Sequence, residues 1–407
     1  MEQEPITNTN FNALPSHIDV LVVGGGIAGL IAAIALARQN FQVVLCEKKS
    51  YPRDKVCGAC LNANAIATLE ALQLTSLLDT LHAPALTHVQ IQCGPRTVQL
   101  PLPSGRAITR REFDLALANE AVRSGVTLLQ NTTASLESST PAQTLRQVKL
   151  QNSQHTRVID ASLVLIAAGL GGIRETAKPW PAKILPNSKI GMGLNLHTEV
   201  HNVRPHTIHL CVRQEGYLGL VLAENNQLNL AAAIQPNLLK DQLPFGAWVR
   251  QTLEQYNLHI EFPLEEAEWR GTPALTRTMQ QPYGHRWLAV GDSAGYVEPF
   301  TGEGMAWAMA GGVAAANLIS ENLLNWNSQQ EEKWGELYQQ MIRQRQWSCR
   351  SLAWLLQNPL RSRIAIEAAT WLPGIGRWFV NDINRQAQSL KLQNNQTQHP
   401  ASITTLQ

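Results

Sequence analysis

The chain has 407 residues and a mass of 44.9 kDa, enough for two or three domains. At 44% hydrophobic and 16% charged it is too apolar for wholesale disorder, and 33 basic against 31 acidic residues leave +2, no field for steering nucleic acid. Six irregularly spaced cysteines exclude a disulfide scaffold and point to a reducing, cytoplasmic compartment.

The first residues carry neither a positive n-region nor an apolar h-region, so no secretory signal is expected. Residues 1–15 read as a loose polar leader. Ile18 to Ala37 is apolar enough to suggest a membrane span. Three consecutive glycines after a β-branched run fit strand, tight turn and helix better. That gives a strand at Asp19–Val23, a helix from about Ala28 to Gln39 and a second strand from Phe41 to Cys46.

A helix at about Asn64–Leu78 leads to a hairpin, His88–Cys93 and Thr97–Leu100, turned by Gly94-Pro-Arg96. Arg111–Ser124 reads as a helix, and Leu145–Gln151 with Thr156–Ile159 as a second hairpin. Leu163–Ile166 is expected as a separate buried strand. From Ile190 the texture changes to an antiparallel sheet, with strands at Ile190–His197, His206–Val212, Tyr217–Leu222 and Gln227–Ile234. A helix at Phe245–Tyr256, a strand at Trp287–Val290 and an apolar helix at about Gly304–Leu324 follow. Tryptophan-rich helices are expected to about Arg385, and a disordered tail after that.

The first chemical motif is Gly24-x-Gly26-x-x-Gly29, with Ile27 and Ala28 between the last two glycines. Gly24 suits the tight turn, Gly26 lets backbone approach a pyrophosphate, and Gly29 lets helix pack on strand. The diphosphate would sit at the helix N-terminus, where unpaired N–H groups and the dipole favour anions. Glu47 ends the next strand, about 20 residues on, where an acid suits ribose hydroxyls. The motif indicates a dinucleotide without separating FAD from NAD.

The second motif, Gly291-Asp-Ser-Ala-Gly295, has two readings. As G-x-S-x-G it is a nucleophile elbow with Ser293 as an esterase nucleophile. The sole histidine after Ser293 is His399, in the polar tail, so a triad lacks its base. In the other reading Asp292 is a ligand and the small residues give clearance.

With these blocks the sequence resembles the flavoprotein family of FAD-dependent aromatic hydroxylases and geranylgeranyl reductases. The resemblance rests on the fingerprint, on Arg53-Asp-Lys-Val-Cys-Gly58, on Thr109-Arg-Arg-Glu-Phe-Asp114, and on Leu288 through Met305. It implies FAD as cofactor, with Asp292 on the ribitol hydroxyls and Arg110 near the diphosphate. Pro299, Gly302 and Gly304 would present backbone N–H groups to the flavin pyrimidine edge. Lys48, Arg53, Cys57, Gly58, Gly291 and Glu303 complete the implied cofactor contacts.

Two departures matter. The hydroxylases' Asp-Gly after the third parallel strand is Ala168-Gly169 here, which puts the usual pyridine-nucleotide contact in doubt. The prenyl reductases' Tyr-x-Trp-x-Phe-Pro survives only as the tyrosine of Gly216-Tyr-Leu-Gly219.

Cys57-Gly-Ala-Cys60 has the spacing of a dithiol, but no second dinucleotide fingerprint accompanies it, so a loop beside the flavin is the plainer reading. No metal site is expected. His206 and His209 fall on opposite strand faces, and His197 and His201 lie about 13 Å apart along a strand. Arginines and tryptophans between Met341 and Arg385 suit either a packed cap with snorkelling arginines or a membrane-surface helix pair.

The expected fold is α/β: an FAD-binding Rossmann-like domain of the glutathione-reductase type, an antiparallel substrate domain and a helical C-terminus. FAD would be bound by residues 16–84, 103–175 and 276–345, and substrate by 85–102 and 176–275. Residues 346–392 would form the cap, and 1–15 and 393–407 would be disordered. The expected activity is an NADPH- or NADH-dependent monooxygenase using molecular oxygen on a hydrophobic or aromatic small molecule, polyketide- or lipid-like in character. A reductase of isoprenoid double bonds is the alternative within the family, and the Ser293 esterase the alternative outside it. No acid or base announces itself; Lys55, Cys57 and Tyr217 are the candidates.

Overall fold

The computed structural model describes residues 11–175, 180–239, 244–298, 302–343 and Arg361. Its first layer is a nine-stranded sheet. Five strands run parallel in the order Thr127–Leu129, Val43–Cys46, His17–Val23, Thr156–Ile166, Trp287–Ala289. Ile18, Val20, Leu21 and Val22 are all fully buried, as a strand covered on both faces requires. Each such side chain contributes about 1.5–3 kcal/mol by leaving water.

The fingerprint helix, Ile27–Ala37, is buried around nearly its whole circumference. Helices Arg110–Arg123 and Gly304–Asn322 both pack against it. Gly312 permits the second approach, because a Cβ there would lie 2.6 Å from the Ala28 carbonyl oxygen. The stretch that hinted at a span is therefore strand, turn and core helix. Among the described residues no helix is long and apolar enough to cross a membrane.

The second layer is a seven-stranded sheet in the order 270–274, 190–196, 228–234, 216–222, 207–212, 88–93, 96–101. All its pairs are antiparallel except 207–212 with 88–93. One face carries Leu218, Leu220, Leu228, Leu230 and Ile234 onto Trp248, Val249 and Leu253 of the helix Phe245–Gln255. Small residues occupy the opposite face. The register sets Gly191, Ala233 and Tyr217 in one row across three strands, and Gly193, Ala231 and Gly219 in the next. The alternations Gly-x-Gly, Ala-x-Ala and Tyr-x-Gly thus hollow out one side of the sheet.

Several local expectations change. The helix expected over 64–78 is two, Ala63–Ala71 and Ser76–Thr80, separated where Gln73 takes φ +56°. The strand expected at Leu163–Ile166 is the upper half of one 11-residue strand beginning at Thr156. The residues between the two expected strands join the ladder, Asp160 and Ala161 pairing with His17 and Ile18 of the first strand, and Ser162 bonds His17. Packing begins before residue 16, since Phe11 and Leu14 are buried in the first core. The hairpin turn has two residues, Gly94 and Pro95, because Cys93 pairs directly with Arg96. The expected C-terminal cap and its tryptophans lie outside the described residues.

Candidate functional site

The fingerprint loop is built for close backbone approach. Gly24 has φ +105°, and a Cβ there would meet the Ala167 carbonyl. At Gly29 a Cβ would run into the Gly24 carbonyl oxygen. Gly26 caps the helix with no side-chain bond, and the first intrahelical donor is Leu30 N–H to Gly26 O at 2.9 Å. The N–H groups of Ile27, Ala28 and Gly29 therefore have no partner within the helix. Gly26, Ile27 and Ala28 line a cavity, and a Cβ on Gly26 would stop 3.6 Å from Arg110 Nη2. An anion fits this cradle.

Beneath the loop lies a buried polar bracket. Glu47 Oε2 accepts from Gly25 N–H at 2.9 Å and Arg53 Nη2 at 3.3 Å, and Oε1 accepts from Lys49 N–H at 3.1 Å. With about four lone-pair sites on a carboxylate, these three donors leave acceptor capacity on Glu47. Asp114 is fully buried and takes Arg110 Nε at 2.7 Å, Arg110 Nη2 at 2.8 Å and Arg53 Nη1 at 3.2 Å. Burial pulls the Arg110 guanidinium down, but the charge and hydrogen bonds of Asp114 outweigh it and hold Arg110 above its ordinary range. Tyr51 donates to Gly25 O, its ring lies under Arg53 at 5.2 Å, and burial raises its hydroxyl well above the usual value.

A second helix N-terminus opens on the same cavity. Gly302, Gly304 and Met305 line it, and the helix Gly304–Asn322 starts without a side-chain cap bond. Its first intrahelical donor is Trp307 N–H to Glu303 O. Gly291 and Asp292 lie between the two helix ends, with Asp292 Oδ2 3.4 Å from Lys55 Nζ. Pro299 lies outside the described residues. Glu303 is buried and does not line the cavity, whereas Lys48 is exposed in the adjoining groove beside Glu47 and Arg53.

Cys57, Gly58 and Tyr217 line the cavity with Val56, Ile208, Leu210 and Leu275. Of the three catalytic candidates, Lys55 belongs through Asp292 to the end of the cavity where the two helix starts lie. Tyr217 belongs to the sheet, where Lys189 Nζ lies 5.5 Å from its ring centroid. Cys57 is a half-buried free thiol between the two. Cys60 is also free, its thiol donates to Gly58 O at 2.9 Å, and burial pushes it well above the ordinary thiol range. That is the environment of a packed thiol, not an activated one.

Ser293 is 1% exposed, and its hydroxyl donates to Gly169 O at 3.2 Å. An elbow nucleophile must be accessible and bonded to a base; Ser293 is neither. All four strand histidines bond elsewhere: His197 with Gln227, His201 with Glu261, His206 with Ala85 O, and His209 accepting from Arg204 N–H. Glu199, His201 and Glu261 form an exposed cluster, and none of them lines the cavity.

Sequence reasoning missed five participants. Asp114 stood inside a quoted block without an assigned role, and Tyr51 lies two residues ahead of another. Glu224, in the turn between two sheet strands, accepts from Thr109 N–H at 2.9 Å and from its hydroxyl, so it secures the start of the Arg110 helix. Lys189 pairs with Glu298 at 2.9 Å, and both are buried. A lysine just ahead of an apolar strand was the available signal.

Residues 19–180 match the family described as FAD dependent oxidoreductase. The chain is 25% identical over 342 residues to conditioned medium factor receptor 1 of Dictyostelium discoideum, an alignment covering 74% of this chain and 64% of that protein. It is 24% identical over 390 residues to the menaquinone reductase of Mycolicibacterium smegmatis, covering 87% of this chain and 89% of the other. The fold is similar to the flavin-dependent brominase Bmp2, with a TM-score of 0.72 at 14% identity over 94% of this chain and 100% of that one. It is also similar to pqsL of Pseudomonas aeruginosa, a probable FAD-dependent monooxygenase, with a TM-score of 0.62 at 17% identity over 85% and 98% of the chains. The family match spans the fingerprint, and most of the chain shares its fold with flavoenzymes, so the two comparisons agree on an FAD-binding oxidoreductase scaffold.

Proposed function

We propose that the chain is an NAD(P)H-dependent monooxygenase of a hydrophobic or aromatic small molecule, acting in the cytoplasm with molecular oxygen as co-substrate. The observation that carries the reading is one cavity whose two ends differ in chemistry. One end offers two uncapped helix N-termini, Arg110 and Asp292; the other is Ile208, Leu210, Leu275 and rows of glycine and alanine. FAD, when bound, supplies the redox chemistry.

The protein's part is then to bind and to exclude water. The N–H groups at Ile27 and Ala28, with Arg110, would hold the diphosphate; Asp292 would hold ribitol, steadied by Lys55. The helix start at Gly304 would stabilise negative charge on the far edge of the cofactor. The small-residue rows leave room for an apolar substrate in a dry, oriented pocket. Ala168 in place of an acid leaves the nucleotide to bind without that carboxylate.

Anaerobic mixing of the FAD-loaded protein with NADPH and with NADH tests this. Bleaching of the flavin absorbance, followed by peroxide release when air is admitted, is the expected result. Bound flavin that neither nucleotide reduces would overturn the donor assignment.

The likeness to a menaquinone reductase favours a second reading, saturation of an isoprenoid double bond without oxygen. Under anaerobic conditions that enzyme would turn over menaquinone with reduced flavin, whereas a monooxygenase would not.

A further inference from the structure

We infer that Glu298 is the hydrogen-bond acceptor that selects substrates bearing a hydroxyl, and that Lys189 is the residue that positions it. The inference rests on reading the apolar end of the cavity as the substrate site.

The charged residues that line the cavity divide cleanly. Lys55, Arg110 and Asp292 stand at the cofactor end, with Lys55 paired to Asp292 and Arg110 to Asp114. Glu298 also lines the cavity, and its partner belongs to the sheet. Lys189 immediately precedes the strand Ile190–Leu196, and its ammonium lies over the ring of Tyr217, itself a lining residue. The pair therefore stands at the apolar end.

Side chains of Lys189 and Glu298 are 8% and 6% exposed, with Nζ 2.9 Å from Oε1 and 3.3 Å from Oε2. Burying an ion pair gives little net stability, because desolvation offsets the attraction, so such a pair is weak as a structural device. Lys189 is not a lining residue; it stands behind the carboxylate. Its three N–H donors cannot saturate about four lone-pair sites while one side of the ammonium faces Tyr217. Among the described residues Glu298 pairs with Lys189 alone, so the carboxylate keeps acceptor capacity on a mostly apolar wall.

A pair of zero net charge that still accepts selects for a neutral donor. The ligand class is an apolar molecule with an O–H group: an alcohol, enol or phenol. A ligand carboxylate would be repelled, and a methyl ether would leave the acceptor unpaired. Hydrogen bonds to a charged group give roughly ten- to hundredfold preference.

The test uses FAD-loaded full chain and apolar hydroxyl compounds each matched with its methyl ether: 2-naphthol, 4-hexylphenol and geraniol. Binding is read from perturbation of the flavin absorbance. The wild type is expected to bind at least one hydroxyl compound tenfold or more tightly than its ether. In Glu298→Gln the preference should fall below threefold with ether affinity unchanged. The double variant Lys189→Met with Glu298→Leu, which removes the whole pair and leaves no lone buried charge, should show none.

A purely structural pair would lower the melting temperature and leave the hydroxyl-to-ether ratio intact, which overturns the inference. Equal binding of each compound and its ether by the wild type also overturns it, while leaving the cavity as the substrate site. Binding of neither, in a protein that NADPH still reduces and that still yields peroxide, overturns the inference and the cavity assignment but not the monooxygenase.

Discussion

The two ends of the cavity are made in different ways. The cofactor end is made of backbone: glycines within six residues of one another, two helix starts, and a bracket of Glu47, Arg53, Arg110 and Asp114 that stiffens them. The apolar end is made of register, since its volume exists only because Gly191, Ala233 and Tyr217 fall in one row and Gly193, Ala231 and Gly219 in the next. Backbone construction tolerates little, because an added atom meets a main-chain neighbour that cannot move aside. Side-chain construction tolerates exchange and tunes what fits. A single scaffold can thus keep its cofactor while changing its substrate.

Adding one methyl at each end exposes that contrast most sharply. Gly24→Ala forces φ +105° on an alanine and puts a Cβ 2.7 Å from the Ala167 carbonyl carbon. Left-handed strain with such a clash costs on the order of 3 kcal/mol or more, so FAD affinity should fall by about 100-fold or the protein emerge colourless. Gly219→Ala places its Cβ 3.4 Å from Ala231 O and from a Leu210 methyl, within ordinary reach of a small adjustment. That variant should keep its flavin and alter only which apolar ligands perturb it. Equal loss of flavin in both, measured by absorbance of the purified proteins, would abolish the distinction.

Next in size is the bracket. Asp114 is the fully buried anion shared by Arg110 and Arg53. Asp114→Asn leaves two buried guanidinium groups short of charge, and removal of one partner from such a set costs about 3–5 kcal/mol. Urea denaturation of the apoprotein should show this loss, separating the bracket's stability from any contribution of FAD. No change in the midpoint would mean that Arg110 and Arg53 are solvated through the groove.

The seven-stranded sheet has its own weak point in His209. It is fully buried between neighbouring strands, Nε2 accepts from Arg204 N–H at 3.0 Å, and Nδ1 has no partner. Burial pulls its pKa down to about 4 from 6.5. The unfolded chain therefore takes up this proton first as pH falls, and stability drops between about pH 6.5 and pH 4. By pH 5 the loss should be about 2 kcal/mol. His209→Leu should remove that part of the slope, and an unchanged slope would place the acid sensitivity elsewhere.

How far the sequence reveals each end follows from the same contrast. Gly24, Gly26, Gly29 and Glu47 act through short spacings, and the strand–turn–helix context was readable around them. The parallel strands showed as continuous apolar runs because both faces are covered. Lys189 and Glu298 are 109 residues apart and meet only through the packing of two layers. A lysine just ahead of an apolar strand marks one member, and nothing near it in sequence marks the other. Glu224 was legible only as a turn residue, because its role is to reach Thr109 on another element. The expected helix over 64–78 failed for a local reason: apolar periodicity continues through a residue that the chain needs in the left-handed region.

The smallest expected effect falls on the residue that sequence made most ambiguous. Ser293 sits in the G-x-S-x-G spacing, beside Asp292, and the two residues belong to opposite hypotheses. The structure buries the serine and turns its hydroxyl to Gly169 O, so it ties the loop after the third parallel strand to the cofactor-side turn. Ser293→Ala removes a neutral hydrogen bond and should cost about 1 kcal/mol, visible as a small shift in melting temperature. FAD content and reduction by NADPH should stay as in the wild type, and slow hydrolysis of p-nitrophenyl esters, if present, should persist unchanged. Abolition of ester hydrolysis with flavin content intact would reverse the assignment and make this turn a nucleophile elbow carried on a flavoprotein scaffold. Asp292→Ala, by contrast, should weaken FAD and leave any such hydrolysis alone, so the pair of variants distinguishes ligand from nucleophile at adjacent positions.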